Sequence, residues 1–375
     1  MKGDKSIIII DYKDLLVEPG NSSISEKLSK AFNKSSLGVI AIRGIPSFVE
    51  TKKEFLPLAY KLAHLPESYL EQHLTDEKSM YNAGWSLGKE QLKKDQPDFH
   101  KASFYFNPIT DTPGTDKDRE KYPASYPINL WPEKGKVDGL ESKGKELGAL
   151  MREVVARLAA HLDVHISNEI GVNCNMGDEM KLTEKVKGRL LYYYPIEKEN
   201  GEIIAEKNDD SWIGWHCDSG FFTALSGDIY VDHDTGDIIP KKDVDPDAGL
   251  LIMDRNGEIT KVDIPEDCMA VQIGECLQVI SGGLVTATPH CVRGISSTWK
   301  GDGRKVARIS FPCFVDTVPG FQLSVPPGSS REEVLDSSVR GCAQIPPLGE
   351  RWENDGMKFG EFLHRTFQKY YEWSS

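Results

Sequence analysis

No stretch of the 375 residues approaches the roughly 20 consecutive apolar residues that span a bilayer. The N-terminal apolar run, Ile7 to Ile10, is closed at once by Asp11, so no signal-peptide core is expected. A surplus of basic residues is also missing. The 45 Lys and Arg stand against 58 Asp and Glu, a formal net charge of −13, which gives no general attraction for nucleic acid or anionic membrane. Seven cysteines occur at irregular spacings with no CxxC pair, which disfavours a disulfide framework or a zinc finger. HExxH is absent too, so helix-borne zinc hydrolase chemistry lacks its usual signature. Internal repeats and low-complexity tracts are not found. These absences lead us to expect a cytoplasmic protein with reduced thiols (an organelle matrix fits as well), with no membrane and no nucleic-acid partner.

What is present is a change of pattern along the chain. Ile7–Ile10 and Gly38–Arg43 read as short strands. Between them, Ser22–Ser25 offers caps for a helix carrying Ile24, Leu28 and Phe32 at a spacing of four. Helical spacing resumes over Val49–Leu62, with Pro57 expected to divide it. Asn107–Pro132 is rich in Pro, Gly and Asp and reads as irregular. From Asp138 to Leu162, Leu140, Leu147, Met151, Val154, Leu158 and Leu162 form one helical stripe. From Arg189 to Phe314 the chain reads as strands punctuated by turn residues: Leu190–Tyr194, Phe221–Leu225, Leu250–Met253, Ala270–Ile273, Leu277–Ile280 and Ala307–Phe314. Gly356–Trp373 is again helical in pattern. The fold class expected is mainly β with flanking α-helices: a jelly-roll (double-stranded β-helix) core, N-terminal α/β elements and a C-terminal helix. One domain over 1–375 is expected, with 1–170 packed on a core at 186–320 and a final helix in 350–375.

Trp215-His-Cys-Asp218 precedes an apolar strand segment. Residues two apart in an extended chain share a side, so His216 and Asp218 can reach one metal while Cys217 points away. His290, 74 positions later in Ala287-Thr-Pro-His-Cys-Val-Arg293, is the best candidate for a third ligand. Two imidazoles and one carboxylate on one face leave open positions that suit nonheme Fe(II) and dioxygen. Zinc remains possible by ligand type. Arg308 and Ser310, two apart in Ala307–Phe314, make a fork for a carboxylate. A structural Asp or Glu is the competing partner for Arg308, and Arg293 is a competing carboxylate anchor.

These segments together resemble the Fe(II)- and 2-oxoglutarate-dependent oxygenase superfamily, in the branch of isopenicillin N synthase and the plant flavonoid oxygenases. Arg189-Leu-Leu-Tyr-Tyr-Tyr-Pro195 resembles the strand before the first metal ligands. The HxD, distal histidine and RxS segments follow in order, and Gly38–Pro46 and Asn129-Leu-Trp-Pro132 resemble further family segments. The resemblance implies His216, Asp218 and His290 as iron ligands. It implies Arg308, Ser310 and Tyr194 at the distal carboxylate of 2-oxoglutarate. It further implies an oxidative decarboxylation to succinate and carbon dioxide that drives oxidation of a small organic molecule, most often hydroxylation, by dioxygen.

Departures are visible. Tyr192 stands where relatives often carry a polar amide. The His290–Arg308 link is long, with Ser296–Gly303 reading as an inserted hairpin loop. Asp228–Pro246 reads as a solvated acidic loop, and its Asp232-His-Asp234 as a surface feature rather than a second metal site. Tyr81, Trp85, Lys89, Tyr105 and Trp212 are candidates for a substrate rim. Alternatives left open are a noncatalytic jelly roll with a relic metal site, an Fe(II) oxidase that does not use 2-oxoglutarate, and a zinc hydrolase on a β scaffold.

Overall fold

The computed structural model describes residues 6–89, 91–93, 96–196, 212–295, 299, 301–338 and 345–372. Two sheets face each other. The larger runs in the order Ile8–Asp11, Val39–Arg43, Cys268–Ile273, Phe222–Asp232, Val306–Val315, Val186–Tyr193, Lys101–Phe106, Gly84–Leu87, with Ile238–Ile239 also paired to Phe222–Asp232. Its first pair is parallel and its other pairs are antiparallel. The smaller sheet, antiparallel throughout, has the order Ile259–Lys261, Gly249–Met253, His290–Arg293, Ile213–His216. This is a jelly-roll core. N-terminal strands enter the larger sheet at both edges, so the first 170 residues are woven into the core rather than only packed on it.

Period-two alternation decides which side chain goes where. In the Val186–Tyr193 strand, Leu190 and Tyr192 join the large core on the outer face. Leu191 and Tyr193 turn inward to Trp212, Tyr230 and Val292 between the sheets. In Val306–Val315, Ala307, Ile309, Phe311, Cys313 and Val315 go outward. That leaves Arg308 and Ser310 facing in.

The outer face is covered by the helix Leu140–Ile170, which buries Leu147, Met151, Val154, Leu158 and Leu162. Each such side chain contributes about 1.5–3 kcal/mol when fully buried. Close approach depends on Gly148, where a Cβ would lie 2.4 Å from Pro108. Phe311 stacks on Phe106 with centroids 5.6 Å apart and meets Phe55 edge-on at 5.0 Å. The helix Ser22–Phe32 buries Ile24, Leu28 and Phe32 as its spacing predicts, and Pro57 separates Phe48–Phe55 from Leu58–Ala63. Phe359–Glu372 forms the C-terminal helix.

Two expectations need correction here. Leu277–Ile280 is not a strand but part of the helix Glu275–Ile280, because Gly274 packs directly on the backbone of Gly220 and the following amides turn to bond that loop. Asn107–Pro132 contains the helix Asp116–Lys121, started by a capping box between Thr115 and Asp118. Half of the expected hairpin at Ser296–Gly303, residues 296–298 and 300, lies outside the described residues. Among the described residues, no helix is long and apolar enough to cross a membrane.

Candidate metal centre

His216 ends one strand of the smaller sheet and His290 begins its neighbour, and the two are direct cross-strand partners. Their ring centroids are 4.2 Å apart. The Nδ1 of His216 lies 2.9 Å from the Gly214 carbonyl, and that of His290 lies 3.1 Å from the Thr288 carbonyl. A carbonyl only accepts, so each Nδ1 carries the proton and each Nε2 presents a lone pair. Both Nε2 atoms face Asp218 Oδ1, at 4.0 Å and 3.9 Å. Burial, then the neighbouring His290, pushes the His216 imidazole down to about 4, with Asp218 opposing. It therefore stays neutral near pH 7, the form that ligates a metal.

Asp218 is buried, and its Oδ2 has no hydrogen-bond partner among the described residues. A lone carboxylate oxygen of this kind is costly to bury unless something binds it. The loop that carries it is clamped from below. Glu275 N donates to the Asp218 carbonyl at 2.8 Å, Cys276 N to Gly220 O at 3.0 Å, and Phe221 N to Asp316 Oδ1 at 2.9 Å. His216, Asp218 and His290 are the one group of three potential ligands found among the described residues, with ligand atoms all within 4.8 Å of one another. The donor set and the orphaned oxygen fit a single divalent ion.

Arg308 and Ser310 line the same cavity as these three residues. The Arg308 Nε donates to Asp228 Oδ2 at 2.7 Å, and Asp228 Oδ1 meets Lys241 Nζ at 2.5 Å. Burial opposes ionisation of Asp228, but Arg308 and Lys241 outweigh it and hold the carboxyl well below its usual range. Arg308 Nη1 is buried without a partner among the described residues. The guanidinium lies 4.9 Å above the Tyr193 ring. Asp228 is thus the acidic partner weighed for Arg308. It belongs to the Phe222–Asp232 strand, which corrects the reading of Asp228–Pro246 as a solvated loop throughout. Arg293 is not among the residues that line the cavity.

Tyr194 lies elsewhere. Its ring meets Tyr192 at 5.0 Å and His233 at 5.9 Å on the outer face, and burial raises its hydroxyl to about 12. Tyr192 is on that face too, with its hydroxyl 2.8 Å from His233 Nδ1. The reason is parity: Arg189, Leu191 and Tyr193 point inward, so the tyrosine beside Arg308 is Tyr193. Strand alternation, counted from Arg308 and its partner strand, is the signal that finds it. Asp228 and Lys241 carry no motif, and sequence reasoning misses them.

A second cavity meets the first along Arg189, Ile213, His216, Asp218 and Phe314. Of the predicted rim residues, Tyr81, Lys89 and Tyr105 line it. Trp85 is packed in the outer core and Trp212 in the core between the sheets, with its Nε1 donating to the Tyr194 carbonyl at 3.1 Å.

No family model and no curated protein sequence matches the chain. Solved structures do. A full-length Neurospora crassa protein in complex with alpha-KG superposes with a TM-score of 0.66 at 17% identity, over 100% of this chain and 98% of that one. JOX2 in complex with 2OG, Fe and JA gives a TM-score of 0.60 at 16% identity, over 96% and 85%. The dioxygenase for auxin oxidation (DAO) in rice gives 0.54 at 16% identity, over 88% and 89%. The chain has the fold of these oxygenases.

Proposed function

We propose that the chain is a nonheme Fe(II) dioxygenase that couples decarboxylation of 2-oxoglutarate to oxidation, foremost hydroxylation, of a small organic molecule. Its motif order resembles that of the isopenicillin N synthase-like branch. One observation carries the proposal. A single cavity holds a ready three-ligand cluster and a buried guanidinium with a donor that has no partner among the described residues. The fold shared with structures that hold alpha-KG, or 2OG and Fe, supports it.

In this reading His216, Asp218 and His290 hold the iron, which when bound supplies the activation of dioxygen. Asp218 offsets one unit of its charge. Arg308 Nη1 and the Ser310 hydroxyl take the distal carboxylate of 2-oxoglutarate. Asp228 keeps the guanidinium turned edge-on, and Tyr193 supports its face. The inward Leu191 and Val292 keep this end of the cavity apolar. The six described cysteines form no disulfide with one another, which fits a reducing compartment such as the cytoplasm.

The test is anaerobic titration of the purified protein with Fe(II) and then 2-oxoglutarate. A weak visible charge-transfer band is expected, and succinate on admission of air. Zinc gives no such band. Absence of both band and succinate would sink the proposal.

A further inference from the structure

Residues 345–372 follow the jelly roll in sequence, yet they reach back to the loop that carries Asp218. They meet it at two points. Arg351, at the end of the short helix Leu348–Arg351, forms a bidentate pair with Glu275, Nη1 to Oε2 and Nη2 to Oε1, each at 2.6 Å. Phe359, at the start of the C-terminal helix, meets Phe221 edge-on with ring centres 5.2 Å apart. Both residues touched are ones whose backbone amides fix that loop. Glu275 N donates to the Asp218 carbonyl, and Phe221 N donates to Asp316.

The Arg351–Glu275 pair is sealed from water, with side chains 0% and 6% exposed. Arg351 Nε donates to the Pro346 carbonyl at 3.1 Å, and the guanidinium lies 5.6 Å from the Phe362 ring centre. Taking two charges out of water offsets much of their attraction, so such a pair adds little net stability over apolar side chains of similar size. What it supplies is geometry. Two parallel bonds from one planar fork fix both the distance and the angle of the carboxylate, where an apolar contact tolerates sliding. This carboxylate belongs to the first turn of Glu275–Ile280. The amides of that turn, from Glu275 and Cys276, bond the carbonyls of Asp218 and Gly220, and Cys276 Sγ lies 3.0 Å from the Ser219 carbonyl.

We infer that Arg351 and Glu275 are positioning residues for the metal cluster. They lock the first turn of Glu275–Ile280 in place, and that turn holds the Asp218 carboxylate opposite the two histidine nitrogens. The inference rests on the proposed metal assignment and adds the part of the chain that seats its carboxylate ligand. The C-terminal helix also presents Leu363 and Phe367 to the outer cavity, which adjoins the cluster at Asp218. One piece of chain thus walls that cavity and fixes the ligand at its end.

The experiment titrates the metal-free full chain with Co(II) under anaerobic conditions, because the visible bands of Co(II) report the ligands around it. Arg351→Met removes the fork and is expected to weaken Co(II) binding about tenfold or more. Glu275→Gln keeps the shape and the backbone amide but loses the charge, and a loss of about threefold or more is expected. The bands of both should differ from the parent's, and Arg351→Lys should recover part of the Arg351→Met loss. Leu158→Ala opens a gap under the Leu140–Ile170 helix and serves as the control for general destabilisation. It should melt earlier and yet keep the parent's Co(II) affinity and bands. If Arg351→Met does not fold, Glu275→Gln against Leu158→Ala decides the matter. Glu275→Gln binding within about twofold of the parent with the parent's bands, or an equal loss in Leu158→Ala, overturns the inference. A parent that binds no Co(II) overturns it together with the metal assignment. Binding that His216→Ala abolishes and Glu275→Gln leaves unchanged removes this inference alone.

Discussion

Arg308 holds Asp228 with its Nε edge and leaves Nη1 buried in the cavity with no partner among the described residues. One side chain thus serves an internal carboxylate and has a donor left for an external one. A lysine lacks the planar fork, so its single nitrogen cannot hold Asp228 on one edge and present a separate, fixed edge to a second carboxylate. Arg308→Lys is therefore expected to raise KM for 2-oxoglutarate about tenfold or more, about 1.4 kcal/mol of binding, with a smaller effect on kcat at saturation. Succinate formation against 2-oxoglutarate concentration measures it, and an unchanged KM removes Arg308 from the slot.

Asp228 sets a pH dependence of stability. Its folded carboxyl is held far below the unfolded value of about 3.9. A depressed carboxyl contributes stability above the unfolded value and loses it as pH falls. The parent should exceed Asp228→Asn by on the order of 3 kcal/mol at pH 7, and the gap should shrink steadily once the pH drops below about 5. Urea unfolding at pH 7 and pH 3.5 decides this; a gap that widens in acid contradicts it.

The tyrosine assignment separates two neighbours. Tyr193→Leu removes the ring beneath the guanidinium and should raise KM for 2-oxoglutarate severalfold. Tyr194→Phe should leave KM within about twofold, a change worth under 0.5 kcal/mol. The reverse pattern restores Tyr194 to the slot.

His216→Ala should abolish turnover and lower iron content while the circular dichroism spectrum stays that of the parent. Full activity in this variant ends the metal assignment.

Gly274→Ala places a Cβ 2.1 Å from the Gly220 carbonyl and 3.1 Å from that of Asp218. The backbone conformation at Gly274 suits any residue, so space alone is at issue. We expect about 1–3 kcal/mol of destabilisation and at least tenfold weaker iron binding, read by thermal melting and anaerobic titration. Iron affinity equal to the parent's shows that the Asp218 loop does not depend on this contact.

Much of this is legible in the chain because it follows short periods. The stripe from Leu140 to Leu162 and the pairs His216/Asp218 and Arg308/Ser310 need only the helical or the two-residue repeat. Parity is also where the reading fails. A tyrosine run of three admits either register, and resemblance to a motif that ends at Pro195 favours Tyr194. The inward positions of Arg308 and Leu191 across the ladder select Tyr193. Leu277–Ile280 is apolar and short enough for a strand, and only the bonds to the Asp218 loop make it helical. Asp228 and Lys241 lie 80 and 67 positions from Arg308. A long-range ion pair of that kind leaves no trace in local pattern.

The pairing of His216 with His290 has a kinetic meaning. Their strands are joined rung to rung, so the two nitrogens are held side by side before any ion arrives. Capture of iron then needs little rearrangement of the chain, and its speed is set by how fast the ion sheds its own water. Loaded and stripped protein should share one shape, and the empty seat should refill within the time of mixing.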